Sequence, residues 1–266
     1  MSLSILEAVK KTAANKTRAK DRFVWTPGQI AILNNEDFSK PASADNSSLH
    51  SEEARNKTYT AKHWPSKAER DHDKDYHSSL SKDHKKAVAG YKKTHYTAVN
   101  TALRKHEGDH AKAHEHIGTM GSGAAEKQHT LKHLAEVTGN ARTHTAKHVY
   151  RGSSPHVGIH KLKVGDHFTD HGFTSASHSA HLAHHAFGEH YSSHDTKEHH
   201  LVKIHMPKGT KAHHLDNSAA RHESKDEDEV LLHHGTTFKV TKQEHHQDEH
   251  GNHHYLTHVT VHHQKD

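Results

Sequence analysis

"EDEVLLHHGTTFKV", residues 227–240, places three acidic residues directly before two short runs of apolar and β-branched residues. Gly235 lies between the runs, and the pattern predicts a strand, a turn and a second strand. Alternate side chains of an extended segment point the same way, so Glu227 and Glu229 would share one side of the first strand. Acidic runs are usually solvated, but they do not normally continue into a hairpin. The stretch therefore predicts a β-structured domain with two carboxylates at the edge of a strand.

The rest of the C-terminal half has the same β-type pattern. Runs with β-branched and aromatic residues alternate with Gly, Pro, Asn or Asp, as expected for strands joined by turns. They are "HVYRGSS" (148–154), "DHFTDHGFTSAS" (166–177), "HHLVKIHMP" (199–207) and "HYLTHVTVHH" (254–263), with one helical stretch, "HSAHLAHHAFGEHY" (178–191), inserted. Upstream, helical spacing of apolar residues predicts helices over 85–103 and 126–137. Helices first and strands second predict an α+β fold with N-terminal helices and a mostly antiparallel sheet or β-sandwich.

The N-terminal part differs in composition. Residues 1–35 contain a candidate short amphipathic helix, and residues 36–82 are rich in Ser, Asp and Lys and poor in aliphatic residues. The latter stretch is typical of a linker, or of a solvated loop with helical patches around Trp64 and Tyr76. We predict a partly flexible helical and linker extension over 1–83 and one folded domain over 84–266.

Composition limits the possible functions. The 266-residue chain has a formal net charge of +5, which does not demand a nucleic-acid partner, and no cysteine, which excludes disulfides and thiolate zinc sites. The apolar run of "MSLSILEAVKKTAANK" is too short for a signal peptide or a membrane span. These features predict a soluble cytoplasmic protein with no membrane partner.

Histidine is the compositional anomaly, with 40 positions, while apolar residues make up only 30% of the chain. Any core is therefore thin or partly built of imidazole, and His205 and His258 lie within predicted strands. Buried imidazoles stay neutral, so we predict loss of the fold below about pH 6, given an ordinary pKa near 6.5. The stretch "HEGDH" (106–110) matches the H-E-x-x-H zinc pattern formally, but Gly108 and Asp109 disfavour the helix that this pattern needs. We predict adventitious zinc or nickel binding, and the sequence shows no designed metal site.

Three polar groups at predicted strand edges suit one reaction. Arg151 can pair bidentately with phosphate, and a serine of "FTSAS" can hold a carboxylate in place. That carboxylate can bind a ribose hydroxyl while positive charge develops at the anomeric carbon, as in glycoside cleavage. A second carboxylate two residues away can act on the incoming nucleophile. A dinucleotide with a cationic leaving base is one substrate that these groups would suit.

The same residues carry a family resemblance. The order of Arg151, a Ser-x-Ser strand and Glu-x-Glu resembles the R-S-E class of mono-ADP-ribosyltransferases, which includes clostridial binary toxins, bacterial effectors and enzymes of T-even bacteriophages. "AVAGYKKTHYTAVNTALRK" (87–105) is similar to the helix of that family, with Tyr91, Tyr96, Asn100 and Leu103. The resemblance spans roughly residues 84–264 and implies the fold of the family, with 84–266 as the catalytic domain.

The resemblance also implies roles for individual residues. Arg151 would hold the NAD⁺ phosphates and the nicotinamide ribose, Ser175 would support the site, and Glu229 would be the catalytic glutamate on the ribose 2′-hydroxyl. Glu227 would orient or activate an arginine acceptor. The residues implied at the NAD⁺ site are Tyr150, Arg151, Gly152, Phe173, Ser175, Ser177 and Glu229. Segment 216–226 would meet the target.

NAD⁺ is then a substrate, and no metal is required. The implied partner is a protein with an exposed arginine, in the transcription or translation machinery of a bacterial host. Two departures stand out, since Ala176 replaces the usual threonine between the serines and segment 216–226 has no aromatic residue. Two alternatives are a catalytically inactive structural relative and a histidine-rich metal-binding protein.

Overall fold

The computed structural model describes residues 66–153, 159–183, 198–215, 229–247 and 253–265. The helices are α1 (Lys67–Ser79), α2 (Lys82–Gly90), a π-helical segment (Tyr91–His95), α3 (Tyr96–Lys105), α4 (His110–Gly118), α5 (Ala124–Asn140) and the short α6 (Ala180–Ala183). The strands are β1 (Lys147–Ser153), β2 (His167–Asp170), β3 (Thr174–Ser177), β4 (Glu198–Met206), β5 (Ala212–His214), β6 (Glu229–Leu232), β7 (Thr236–Gln247) and β8 (His253–Gln264). No described helix combines the length and the apolar character that crossing a membrane requires.

Local capping explains where several helices begin. Ser66 caps α1 in a reciprocal capping box with Glu69, Ser81 accepts a hydrogen bond from the backbone of α2, and Asp109 does the same for α4. The "HEGDH" stretch runs from the turn after α3, where Gly108 has φ +75°, to His110, the first residue of α4. Its two histidines therefore do not share one helix, and the zinc-protease pattern does not apply.

The π-helical segment interrupts the predicted helix without ending it. His95 Nδ1 lies 2.8 Å from Thr130 Oγ1 of α5, which ties the segment to that helix. A Cβ at position 90 would lie 2.9 Å from His95 Nδ1 and 3.0 Å from Thr130 Oγ1. Glycine at 90 therefore permits the close approach of the two helices.

The described strands form one mixed sheet in the order β2-β7-β8-β4-β1-β3-β6-β5. The β4–β8 pair is parallel and the other pairs are antiparallel. This arrangement, with helices first, confirms the predicted α+β class and the mostly antiparallel sheet.

The sheet cannot be flat, because β6 and β7 are consecutive in the chain but lie five strand positions apart in the sheet. Five positions in a flat sheet span about 24 Å. The chain from Leu232 to Thr236 reaches at most about 14 Å. Two hydrogen bonds also join the β5 end to β8: Gln264 Oε1 accepts from Lys211 N at 2.6 Å, and Gln264 Nε2 donates to Lys211 O at 2.9 Å. The sheet therefore curls until its two halves face each other, as in a sandwich.

Two hydrophobic clusters result. One packs α2–α5 against Phe173, Leu215 and Leu231, and the other fills the space inside the curled sheet with residues such as Val149, Phe238 and Val259. Leu231 belongs to the first cluster, while its neighbours in β6 belong to the second. Strand β6 is thus covered on both faces, which explains why Val230, Leu231 and Leu232 form a continuous apolar run after Glu229.

Most predicted elements match the structure, and several were missed. The helix over 85–103 is formed by α2, the π-helical segment and α3, and the helix over 126–137 is α5. The predicted strand runs correspond to β1–β4 and β6–β8, whereas α4 and β5 were not predicted. Tyr76 lies in α1, where its hydroxyl donates to Val137 O at 2.7 Å, so the residues just before position 84 contact the domain. The domain boundary stays a prediction, and the helix over 1–35 and most of the stretch 178–191 lie outside the described residues.

Imidazole does form part of the interior. His77, His178, His200, His213, His214, His233 and His234 are buried. His205 and His258 lie in β4 and β8 as predicted, both half-buried.

Candidate functional site

Three neighbouring strands, β1, β3 and β6, bring together Arg151, Ser175 and Glu229. Strands β1 and β3 pair at a single position, Tyr150 with Ser177. Among the described residues the two strands form no further pair. Arg151 follows Tyr150 in β1 and Ser175 precedes Ser177 by two residues in β3, so the polar residues meet just beyond this pair.

The contacts among Arg151, Ser175 and Glu229 are direct. Arg151 Nη1 donates to the carbonyl oxygen of Ser175 at 3.2 Å, and Ser175 Oγ donates to the Glu229 carboxylate. Ser175 is buried and Glu229 is half-buried, while 24% of the Arg151 side chain is exposed. A serine fixed between two strands thus orients the carboxylate, and the guanidinium keeps donors available for an anionic ligand.

Asp170 at the end of β2 holds two arginines. Its carboxylate accepts hydrogen bonds from Arg104 Nε at 2.9 Å and Arg104 Nη2 at 3.1 Å, and it lies 3.8 Å from Arg151 Nη1. Thr174 Oγ1 and the backbone N–H of Gly172 also donate to it, each at 3.0 Å. This network sets the position of the Arg151 guanidinium.

Despite burial, the pKa of Asp170 is lowered by the two neighbouring arginines. Burial alone would raise the pKa of this carboxyl, but Arg104 and Arg151 more than offset burial and hold the pKa below its ordinary value. The aspartate therefore stays negative at neutral pH and pairs with both guanidinium groups.

Helix α3 and the π-helical segment close one side of the site. Asn100 Oδ1 accepts from Phe173 N at 2.9 Å, and Asn100 Nδ2 donates to the Tyr91 hydroxyl at 2.8 Å. Burial, and next the nearby Glu229 carboxylate, raise the pKa of Tyr91, so its hydroxyl stays protonated. A Cβ at Gly172 would lie 2.9 Å from Asn100 Oδ1, so glycine there lets the β2–β3 turn reach α3.

A cavity of about 390 Å³ opens beside Arg151 and Asp170, and Ser175 and Glu229 are not among the residues that line it. Its polar end is lined by Arg104, Arg151, Gly152, Ser153, Asp170 and Thr174, and its other walls are largely apolar. This combination of an apolar wall and a few convergent polar groups is common in binding sites for small molecules and cofactors. Two guanidinium groups and one carboxylate give this end of the cavity a net positive charge, and guanidinium groups are suited to pairing with anionic groups such as phosphate.

The other predicted site residues have different positions. Tyr150 is fully buried beneath Lys203, whose Nζ lies 5.9 Å from the ring centroid, and strand alternation points it away from Arg151. Phe173 is fully buried against Tyr91 at 5.8 Å between ring centroids. Ser177 is buried and accepts a hydrogen bond from Ser179 N at 3.0 Å. Glu227 and segment 216–226 lie outside the described residues.

Sequence reasoning missed Arg104 and Asp170. The two are separated by 66 positions and belong to no motif that marked them. A weak signal was available, because "TDHG" (169–172) places an aspartate two residues before a glycine at a predicted turn, a position that commonly accepts local backbone hydrogen bonds.

Comparisons with known proteins identify the family of the chain. A sequence model of the family described as ADP-ribosyltransferase exoenzyme matches residues 61–263, more than half of the chain. No curated protein matches in a sequence comparison.

Several solved structures share the fold. Plx2a, an ADP-ribosyltransferase toxin from Paenibacillus larvae, is 15% identical with a TM-score of 0.53, over 73% of this chain and 93% of that one. C3stau2 from S. aureus, solved with NAD, is 17% identical with a TM-score of 0.52, over 70% of this chain and 90% of that one. The enzymatic component C2-I of the C2 toxin from Clostridium botulinum is 14% identical with a TM-score of 0.55, over 75% of this chain and 47% of that one.

The structural matches agree in fold with the family match, and the resemblance stated from the sequence is confirmed: the chain belongs to the ADP-ribosyltransferase exoenzyme family.

Proposed function

We propose that the protein is a mono-ADP-ribosyltransferase that cleaves NAD⁺ and transfers ADP-ribose to an arginine side chain of a target protein. The observation that carries the proposal is the chain of contacts from Arg151 through Ser175 to Glu229. It provides a cation for phosphate, an oriented carboxylate for the ribose and a buried hydroxyl between them. NAD⁺ is proposed as a substrate, and the reaction is a pentosyl transfer that needs no metal.

In the proposed reaction the bond between the ribose C1′ and the nicotinamide nitrogen breaks. Nicotinamide leaves with the bonding electron pair, and C1′ becomes oxocarbenium-like. Glu229 accepts a hydrogen bond from the 2′-hydroxyl, and its charge stabilises the cation. A guanidine nitrogen of the acceptor then attacks C1′ and loses one proton. Water at the same position would give NAD⁺ hydrolysis instead.

The arginine acceptor is supported by the Glu-x-Glu order of residues 227–229. In an extended segment Glu227 would lie on the same side as Glu229, where it can take the proton of the attacking guanidinium. The intervening Asp228 would point the other way. Action in a bacterial host cytoplasm, and kinship with bacteriophage enzymes, stay predictions.

We expect Glu227→Ala to separate transfer from cleavage. Incubated with labelled NAD⁺, a bacterial lysate and a chelator, the variant should transfer label to protein about 10²-fold more slowly, because general-base catalysis of the acceptor is lost. Nicotinamide release should persist. Asp228→Ala is the matched control and should transfer label at the parental rate.

Mass spectrometry of the labelled target should place the ADP-ribose on an arginine side chain. Modification of another side chain would refute arginine specificity. Absence of nicotinamide release from the folded parent would refute the proposed function.

We expect Asp170→Asn to raise the KM for NAD⁺ about tenfold with a smaller change in kcat. The reason is that Asp170 accepts two charge-assisted hydrogen bonds from Arg104 and lies 3.8 Å from Arg151 Nη1, so its charge helps to position both guanidinium groups. One charge-assisted hydrogen bond contributes about 1.5–3 kcal/mol. Initial rates of nicotinamide release measure both constants. Asp166→Asn, in the turn before β2, is the control. A lower melting temperature with an unchanged KM would mean that Asp170 only stabilises the fold.

A further inference from the structure

Five side chains of types that can bind metal ions lie where α2 packs against α5, away from the residues of the proposed reaction. Asp83 and His84 lie in the first turn of α2, and His129, His133 and Glu136 lie along α5. Positions 129, 133 and 136 are spaced by four and three residues, so they share one face of the helix. We call these five residues the helix-pair site.

The side chains converge closely. Glu136 Oε2 lies 2.9 Å from both His84 Nε2 and His133 Nδ1, and His129 Nε2 lies 3.3 Å from Asp83 Oδ1. The ring centroids of His129 and His133 are 4.4 Å apart. Two sets of three residues each offer ligand atoms within 4.8 Å of one another: Asp83, His129 and His133, and His84, His133 and Glu136. His133 belongs to both sets.

This geometry suits a small divalent ion. In tetrahedral zinc sites the metal lies about 2.0–2.2 Å from imidazole nitrogen and carboxylate oxygen, so the ligand atoms are about 3.3–3.5 Å apart. The 2.9 Å contacts to Glu136 would therefore have to lengthen by only about half an ångström. The side chains of His84 and Glu136 are 26% and 42% exposed, which leaves an entry path from solvent.

We propose that the helix-pair site binds one Zn²⁺ ion and thereby links α2 to α5. Imidazole with carboxylate is a donor set that first-row transition metals favour over Ca²⁺ or Mg²⁺. The site is structural and not catalytic. It contains none of Arg151, Ser175 and Glu229, so it does not rest on the proposed function.

The linked helices frame the catalytic side of the domain. Helix α2 continues into the π-helical segment that begins with Tyr91, and His95 of that segment contacts Thr130 of α5. A bound ion would therefore hold in place the helices behind Tyr91. Because the ion binds only where both helices are formed, it stabilises the folded state.

The test must separate one built site from the background of 40 histidines. The metal-free full-length protein is titrated with Zn²⁺ at pH 7.5 against a chromophoric chelator, and melting temperature is followed in parallel. The parent should bind one equivalent of Zn²⁺ at least tenfold more tightly than any further equivalents. With that one equivalent bound, its melting temperature should be higher than that of the metal-free protein. His133→Gln should lose that equivalent and the thermal shift, because His133 belongs to both candidate ligand sets.

His263→Gln, at an exposed position of β8, is the matched control and should keep the tight equivalent. His84→Gln removes a ligand from the other helix and decides the question if His133→Gln does not fold. The proposal is overturned if the parent shows only weak, graded binding, or if the folded ligand variants bind Zn²⁺ as tightly as His263→Gln does.

Discussion

We expect Glu229→Gln to lower the rate of NAD⁺ cleavage by about 10²–10³-fold, the usual effect of removing one preorganised electrostatic group from a transition state. Glutamine keeps the shape of the side chain and can still accept the hydrogen bond from Ser175 Oγ. What is lost is the negative charge, which matters most when the ribose is cationic. The effect should therefore appear in kcat, while the affinity for NAD⁺ changes little.

Nicotinamide release and NAD⁺ binding by calorimetry measure these two effects separately. Glu198→Gln is the matched control, because Glu198 is the first residue of β4 as Glu229 is the first residue of β6, and it lies outside the proposed site. The control should retain the parental rate. Parental cleavage by a folded Glu229→Gln protein would remove Glu229 from the mechanism and with it the proposed chemistry.

The parts of the fold that depend on local pattern could be predicted from the sequence. The strand–turn–strand order of β6 and β7 is encoded by an apolar run, Gly235 and a second alternating run, all within 12 residues of each other, and Gly235 has φ +69°. The two strands do not form the hairpin that this local pattern favours, because β6 pairs with β3 and β5, and β7 pairs with β2 and β8. The curl of the sheet could not be predicted, because it depends on which distant strands pair. The pairing of β4 with β8 brings together residues such as Leu201 and Leu256, and nothing local in either strand specifies it.

The candidate site also has residues that the sequence could predict and residues that it could not. Arg151, Ser175 and Glu229 could be proposed because the resemblance marked them, and the structure places them on neighbouring strands. The salt bridge between Arg104 and Asp170 could not be predicted from the sequence, because it forms only when α3 packs against the β2–β3 turn at Gly172. Tyr150 was implied at the NAD⁺ site because it precedes Arg151 in the sequence. Neighbouring residues of a strand point to opposite faces, so Tyr150 lies on the face away from Arg151.

Histidines that replace apolar residues in the core should make the protein sensitive to acid. His213, His233 and His234 retain only 2%, 4% and 5% of their accessible surface. Burial, and next the neighbouring imidazoles, lower the pKa of His213 to about 3, that of His233 to about 3 and that of His234 to about 4. Among the described groups that act on these pKa values are His77, His110, His214, Arg142, Lys211 and Lys265, all cationic or able to become so. Burial and these neighbouring positive charges therefore both oppose protonation of the three imidazoles in the folded state.

The direction of the pH effect follows from linkage. Between pH 6.5 and about 4 the unfolded chain protonates these imidazoles and the folded protein does not, so the unfolded state binds more protons and stability falls as the pH falls. At pH 5, which is above all three folded-state pKa values, each imidazole favours unfolding by about 2 kcal/mol relative to neutral pH. Three such groups contribute about 6 kcal/mol, which is comparable to the whole stability of a typical domain, about 5–15 kcal/mol.

We therefore expect the free energy of unfolding, measured by urea titration and circular dichroism, to fall by about 6 kcal/mol between pH 7.5 and pH 5, and the fold to be lost in this range. In His213→Gln, which cannot titrate at that position, the fall should be smaller by about 2 kcal/mol, whatever the absolute stability of the variant. His263→Gln, with an exposed imidazole removed, should behave like the parent. Equal stability of the parent at pH 7.5 and pH 5 would mean that the buried imidazoles take up protons in the folded state, and neutral histidines could then no longer be regarded as part of the core.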